Sequence, residues 1–195
     1  MVKKFNFNNK IIMLKSISEK QKESFNNLKE KFGYTNPMQA PKIEKVIVNI
    51  GIGSVTDKNR IKNIEEKLTL ITGQKPSIQP AKKSIATFKV REGQLSGYKV
   101  TMRGQEAFNF IDKLINIALP RTRDFRGLSK NSVDEMGNFS IGIKENAIFP
   151  ETADQDVRDS FGLGITIVTS SKVKEETVAF LEMIGMPFAK EKKEE

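Results

Sequence analysis

The chain has 195 residues, 37% hydrophobic content and a formal charge of +9, with a sequence pI near 9.6. It has no cysteine and no histidine, which excludes disulfides, Cys/His zinc centres, Ser-His-Asp triads and imidazole proton shuttles. Its apolar runs, such as IIML at 11–14, fall far short of a membrane span, and the excess of cations points to an anionic partner.

Residues 1–13 are basic and then briefly apolar. They lack the long apolar core and cleavage site of a secretory leader, so they read as an extension. A single domain is expected over 14–188, followed by a charged tail at 189–195. With no cysteine to oxidise, a cytoplasmic setting is expected.

Leu14, Ile17, Phe25, Leu28 and Phe32 recur at helical spacing over 14–32, with Gly33 and Pro37 ending the helix. The stretch KIEKVIVNIGIG at 42–53 reads as a strand. Alternation puts Val46, Val48 and Ile50 on one face and Lys45, Ile47 and Asn49 on the other. A helix over 58–72 carries the stripe Ile61, Ile64, Leu68 and Ile71, opened by Thr56 or Asp57 and closed by Gly73. Strands are expected at 76–80, 84–92 and 97–103, joined by tight turns. A helix over 105–119 follows, with Phe108, Ile111, Leu114, Ile115 and Ala118 inward and Pro120 stopping it.

After the polar connection RTRDFRGLSKNSVDEMGN, alternation resumes at Phe139, Ile141 and Ile143. GITIVTS at 164–170 reads as a strand. A helix over 173–184 closes at Gly185 and Pro187. Strands and helices mix without strict βα alternation. The expectation is an α+β fold, a mostly antiparallel sheet with helices packed on one face and the opposite face left for a partner.

The charge is concentrated. From Lys75 to Arg103 there are seven Lys/Arg and one acid, and from Arg121 to Lys130 four and one; the rest of the chain is neutral. Lys99, Thr101 and Arg103 share one predicted face, opposite Val100 and Met102. Long cationic side chains can simply solvate a sheet face. Such a face normally mixes signs, because like charges on neighbouring strands repel. The excess here favours a polyanion.

Phe88 shares its predicted face with Ala86 and Val90, which makes it a core residue, with Lys89 and Arg91 opposite. A bulge or strand end would be needed for Phe88 and Arg91 to meet one ligand. NIGIGSV follows a strand and precedes a helix but lacks the third glycine of a dinucleotide loop and any GK[ST], so its glycines read as a strand exit. The acids VDE at 133–135 and ADQD at 153–156 lack EF-hand spacing. No metal or cofactor is implied. A general RNA chaperone and a nucleotide-handling enzyme using GIGS stand as alternatives.

FGYTNPMQAPKIEKVIVNIGIG, LTLITGQKPSIQPAKKSIATFKVREG, YKVTMRG, LPRTRDFRGLSKNSVDEMGNFSIGIKENAIFPE and LEMIGMPF occur in this order. Over about residues 14–188 the chain resembles bacterial large-subunit ribosomal protein five, the family that binds 5S ribosomal RNA. The resemblance implies a non-enzymatic component of the large subunit, in contact with 5S and large-subunit rRNA. It implies RNA-binding roles for Asn49 of VNIGIG, Gln74 of TGQKP, Phe88 and Arg91 of TFKVR, and Thr101 of KVT, beside Lys99 and Arg103 of the cationic face. It further implies that Lys82 and Lys83 of QPAKKSI reach peptidyl-site tRNA. Arg121, Arg123 and Asp124 would join the bridge to a protein of the small-subunit head. Family members often read EIDYDKV and RGMDI where this chain has ETADQDV and FGLGI.

Overall fold

The computed structural model describes residues 16–53, 55, 57–153 and 160–189. The expected 1–13 extension, Leu14, Thr56, most of ADQD and all but the first residue of the tail lie outside the described residues. Five strands form one antiparallel sheet in the order β2-β3-β1-β5-β4. They are β1 (Ile43–Gly51), β2 (Ser77–Pro80), β3 (Leu95–Met102), β4 (Asn138–Ile143) and β5 (Leu163–Thr169). The helices are α1 (Ile17–Phe32), α2 (Lys58–Thr72), α3 (Gly104–Lys113) and α4 (Lys174–Ile184).

Local chemistry accounts for the helix ends. The Ser16 hydroxyl accepts from the Glu19 N–H while the Glu19 carboxylate accepts from the Ser16 N–H, a capping box that satisfies two otherwise orphan donors. Asp57 caps α2 and accepts from the Asn59 N–H at 2.9 Å. Gly33 and Gly73 end α1 and α2 at φ 68° and 70°, where a Cβ would be strained.

The side-chain alternation of the central strands builds the core. Val46, Val48 and Ile50 of β1, Tyr98, Val100 and Met102 of β3, and Leu163, Ile165 and Ile167 of β5 are all buried on one face. They join Phe139 and Ile141 of β4 and the inward residues of the four helices in one cluster. Helix α3 lies against β1, α2 against β3, and α1 against α3 and α4. A register shift between Ile43 and Lys45 returns Ile43 to the core face, which uninterrupted alternation would have denied it. Lys113 ties three pieces together, donating to the Ile71 carbonyl at the end of α2 (2.7 Å) and pairing with Glu151 (2.5 Å).

Two expectations need correction. Residues 84–92 do not form a strand. Ile85 and Val90 make an isolated bridge around a short 3-10 turn at Ala86–Phe88, closed by Lys89 at φ 53°. The connection from β2 to β3 is thus a long loop rather than a tight turn, and Phe88 is 72% exposed instead of buried. Periodicity fails there because the chain leaves the pleat, so alternate residues no longer point to opposite faces. The helix expected over 105–119 is α-helical only to Lys113. It continues as a π turn over Leu114–Ala118 and a 3-10 turn over Leu119–Arg121 that contains Pro120. The inward residues Ile111, Leu114 and Ala118 remain fully buried through that change.

Candidate nucleic-acid interface

The face opposite the helices is built by the other half of each strand. Asn49 stands opposite Lys99, Ile47 opposite Thr101, and Lys99 opposite Ser77. Asn49 and Lys99 are exposed and Thr101 is half-buried between its neighbours. Arg103, also exposed, follows β3 in extended conformation (φ −139°, ψ 162°) and precedes α3. Asn49, Lys99 and Thr101 are therefore brought together on one surface by register, with Arg103 at its margin. On the sealed side of β3 the Tyr98 hydroxyl donates to Glu65 of α2 at 3.1 Å. Burial, then the hydrogen bond to that carboxylate, raises its pKa above 10.0.

Gln74 comes just after the Gly73 cap and leads into β2. The Thr72 hydroxyl donates to its carbonyl at 3.1 Å, and the residue is exposed. Phe88 and Arg91 belong to the β2–β3 loop, where every residue from 82 to 89 is exposed. The loop has internal order. Ala81 and Gly93–Gln94 exchange backbone bonds of 2.8 and 3.0 Å, the Glu92 N–H donates to Ser84 (2.9 Å), and the Arg91 N–H donates to Gln94 (3.1 Å). The turn at Lys89 supplies the interruption that lets Phe88 and Arg91 both reach solvent. Lys82 and Lys83 are exposed on the same loop. Among the described residues none of the seven cations from Lys75 to Arg103 forms an ion pair; the bridges present are Lys113–Glu151 and Lys130–Glu182. The chemistry offered is a set of uncompensated cations, an amide, a hydroxyl and a bare aromatic ring.

The second cationic stretch lies elsewhere. Arg121, Arg123 and Asp124 are exposed, with Asp124 at φ 52°. Their segment borders a groove of about 620 Å³ floored by Ile141, Ile143 and Ile148, beside β4. Strand β4 is one edge of the sheet and β2 the other, roughly 19 Å apart at four strand spacings. The positive charge thus marks two places, not one.

The sequence itself carries a family's mark along nearly this whole architecture. Residues 36–91 match the family model described as Ribosomal protein L5, and residues 95–188 match the model of the same ribosomal family's C-terminus. The large ribosomal subunit protein uL5 of Thermoanaerobacter sp. (strain X514) is 50% identical over 171 residues, covering 87% of this chain and 96% of that one. That of Ligilactobacillus salivarius is 49% identical over 175 residues, covering 87% and 97%. That of Ureaplasma urealyticum is 51% identical over 165 residues, covering 84% and 90%. The chain belongs to the ribosomal protein uL5 family. It is accordingly a structural, non-enzymatic protein of the large ribosomal subunit, with ribosomal RNA as its partner. No helix among the described residues is long and apolar enough to cross a membrane.

Proposed function

We propose that the chain fastens 5S rRNA into the central protuberance of the large subunit through the uncovered sheet face and the adjoining β2–β3 loop. Asn49 and Thr101 bond ribose or base edges, Lys99, Arg91 and Arg103 meet phosphates, Gln74 bonds at the β2 margin, and Phe88 stacks or packs on ribose. Lys82 and Lys83, flexible point charges on the loop, reach the backbone of peptidyl-site tRNA. Arg121, Arg123 and Asp124, at the far edge of the sheet, contribute to a bridge with a protein of the small-subunit head.

The single observation that supports this reading most is the register pairing Asn49 with Lys99 and Ile47 with Thr101 on the face that carries no helix. It is reinforced by the unpaired cations beside it. A rigid surface of this kind selects by shape and binds by charge, with no catalytic step required.

Retention of a 5S rRNA transcript by the whole chain tests the proposal. Affinity is expected to fall as salt rises, by roughly 0.7–0.9 log unit per log unit of salt for each phosphate neutralised. Equal affinity for unrelated structured RNAs of the same length would refute selective recognition.

A further inference from the structure

One end of the uncovered face is almost without side chains. Strand β1 ends at Gly51, which pairs with Gly97 of β3, and Asn49 pairs with Gly164 of β5, which pairs in turn with Gly142 of β4. Gly51, Gly97, Gly162 and Gly164 leave a shallow depression of about 450 Å³ walled by Asn49 and Lys99, with Gly142 beyond it on β4.

Packing explains only part of this bareness. A Cβ on Gly97 would run into the Ile50 carbonyl oxygen, and one on Gly162 would lie 3.2 Å from that of Ile143. Those two glycines answer to neighbouring backbone. At Gly51 and Gly142 a Cβ would meet nothing within 4 Å, and neither residue has a positive φ. Any L-residue would fit there, and glycine weakens a strand, so the open positions mark close approach by something outside the fold. Gly164 differs again: a Cβ would collide with Asn49 Oδ1 and with no backbone atom, so its effect is to let the Asn49 amide stand where it does.

We propose that this glycine-floored depression seats one unstacked nucleotide of the bound RNA, with Asn49 bonding its base edge and Lys99 its phosphate. The inference rests on the reading of this face as the RNA-binding surface. The volume falls within the ~300–1,000 Å³ range of small-ligand seats, enough for a single nucleotide and too small for a base-paired segment. The uncovered peptide planes offer a flat floor, and the Asn49 amide presents a donor and an acceptor side by side, the pattern that reads an unpaired base edge. Gly164 acts as a positioning residue for Asn49.

The test uses the whole chain and a 5S rRNA transcript, with chemical probing of unpaired bases and a binding isotherm. Gly51→Val puts a branched side chain on the floor where a Cβ meets nothing within 4 Å, and Gly164→Asp adds bulk and negative charge beside Asn49. Each is expected to weaken binding by about tenfold, the scale of one lost base contact, and to re-expose one unpaired nucleotide that the wild-type chain protects. Thermal melting of the free protein should not fall for Gly51→Val, which keeps the result interpretable if Gly164→Asp loses stability. Wild-type affinity and an unchanged protection pattern in Gly51→Val would overturn the nucleotide seat while leaving the RNA-binding face intact. Failure of the wild-type chain to bind 5S rRNA would overturn both.

Discussion

Neighbouring residues of β1 live in different solvents: Val48 is completely buried, while Asn49, one position on, is exposed beside Lys99. The same contrast runs through β3 and β5. One face is filled by Val, Ile, Met and aromatic side chains under the helices; the other carries amide, hydroxyl, ammonium and bare glycine beside half-buried Ile47 and Val168. A two-residue period therefore divides the core face from the proposed recognition face within single strands. Substitutions on the two faces should separate stability from recognition cleanly.

The largest effect is expected on the sealed face. Phe139 is fully buried and meets Phe188 edge-on at 5.6 Å between centroids. Phe139→Ala should cost about 3–5 kcal/mol of unfolding free energy, read by urea titration, because the cavity adds to the lost transfer energy. A cost near zero would mean that the sheet is not held together by that face. On the recognition side, Arg91→Ala should lower 5S rRNA affinity by about 1–3 kcal/mol with no change in melting temperature. A melting shift as large as the affinity loss would break the division of labour.

Asn49→Ala sharpens the comparison further, since its neighbour Val48 is core. It should reduce RNA affinity by about 0.5–1.5 kcal/mol, the net worth of a hydrogen bond, and leave stability within about 0.5 kcal/mol. The smallest effect is a pH dependence confined to the sealed side. Tyr98 has its pKa raised by burial and then by its bond to Glu65, and Tyr34 is pushed up to about 12 by burial and nearby Glu176. A raised folded-state pKa leaves stability intact below 10.0 and drains it as pH climbs from there through the folded value. Melting temperature should fall over that alkaline interval, and Tyr98→Phe should make the fall shallower. An identical alkaline profile in Tyr98→Phe would remove Tyr98 from the account.

Much of this is readable from residue order. The strand at β1, the helices over 17–32, 58–72 and 174–184, and their glycine stops follow from period and cap chemistry, which act within a few residues. Alternation alone assigns Asn49, Lys99 and Thr101 to one surface. Phe88 shows where that logic ends. A positive-φ turn at Lys89 takes the chain out of the pleat, and no period crosses such a turn. Gln74, Phe88 and Arg91 come from family resemblance rather than from spacing. The glycine floor leaves no signal in sequence, because Gly51, Gly97 and Gly164 become neighbours only through the pairing of three strands.

By itself the sequence determined most of the helices and strands (84–92 and the end of the 105–119 helix excepted), which side of the central strands was oily, and where its positive charge was concentrated along the chain. These are local properties, set by side-chain sterics and by periods of 3.6 and 2. Only the tertiary structure decided the strand order, and with it that the two cationic stretches stand at opposite edges and that Asn49 pairs with Lys99 beside a bare floor. Strand order and register depend on contacts between residues far apart in the chain, where the free energy of burying a shared core outweighs any local preference.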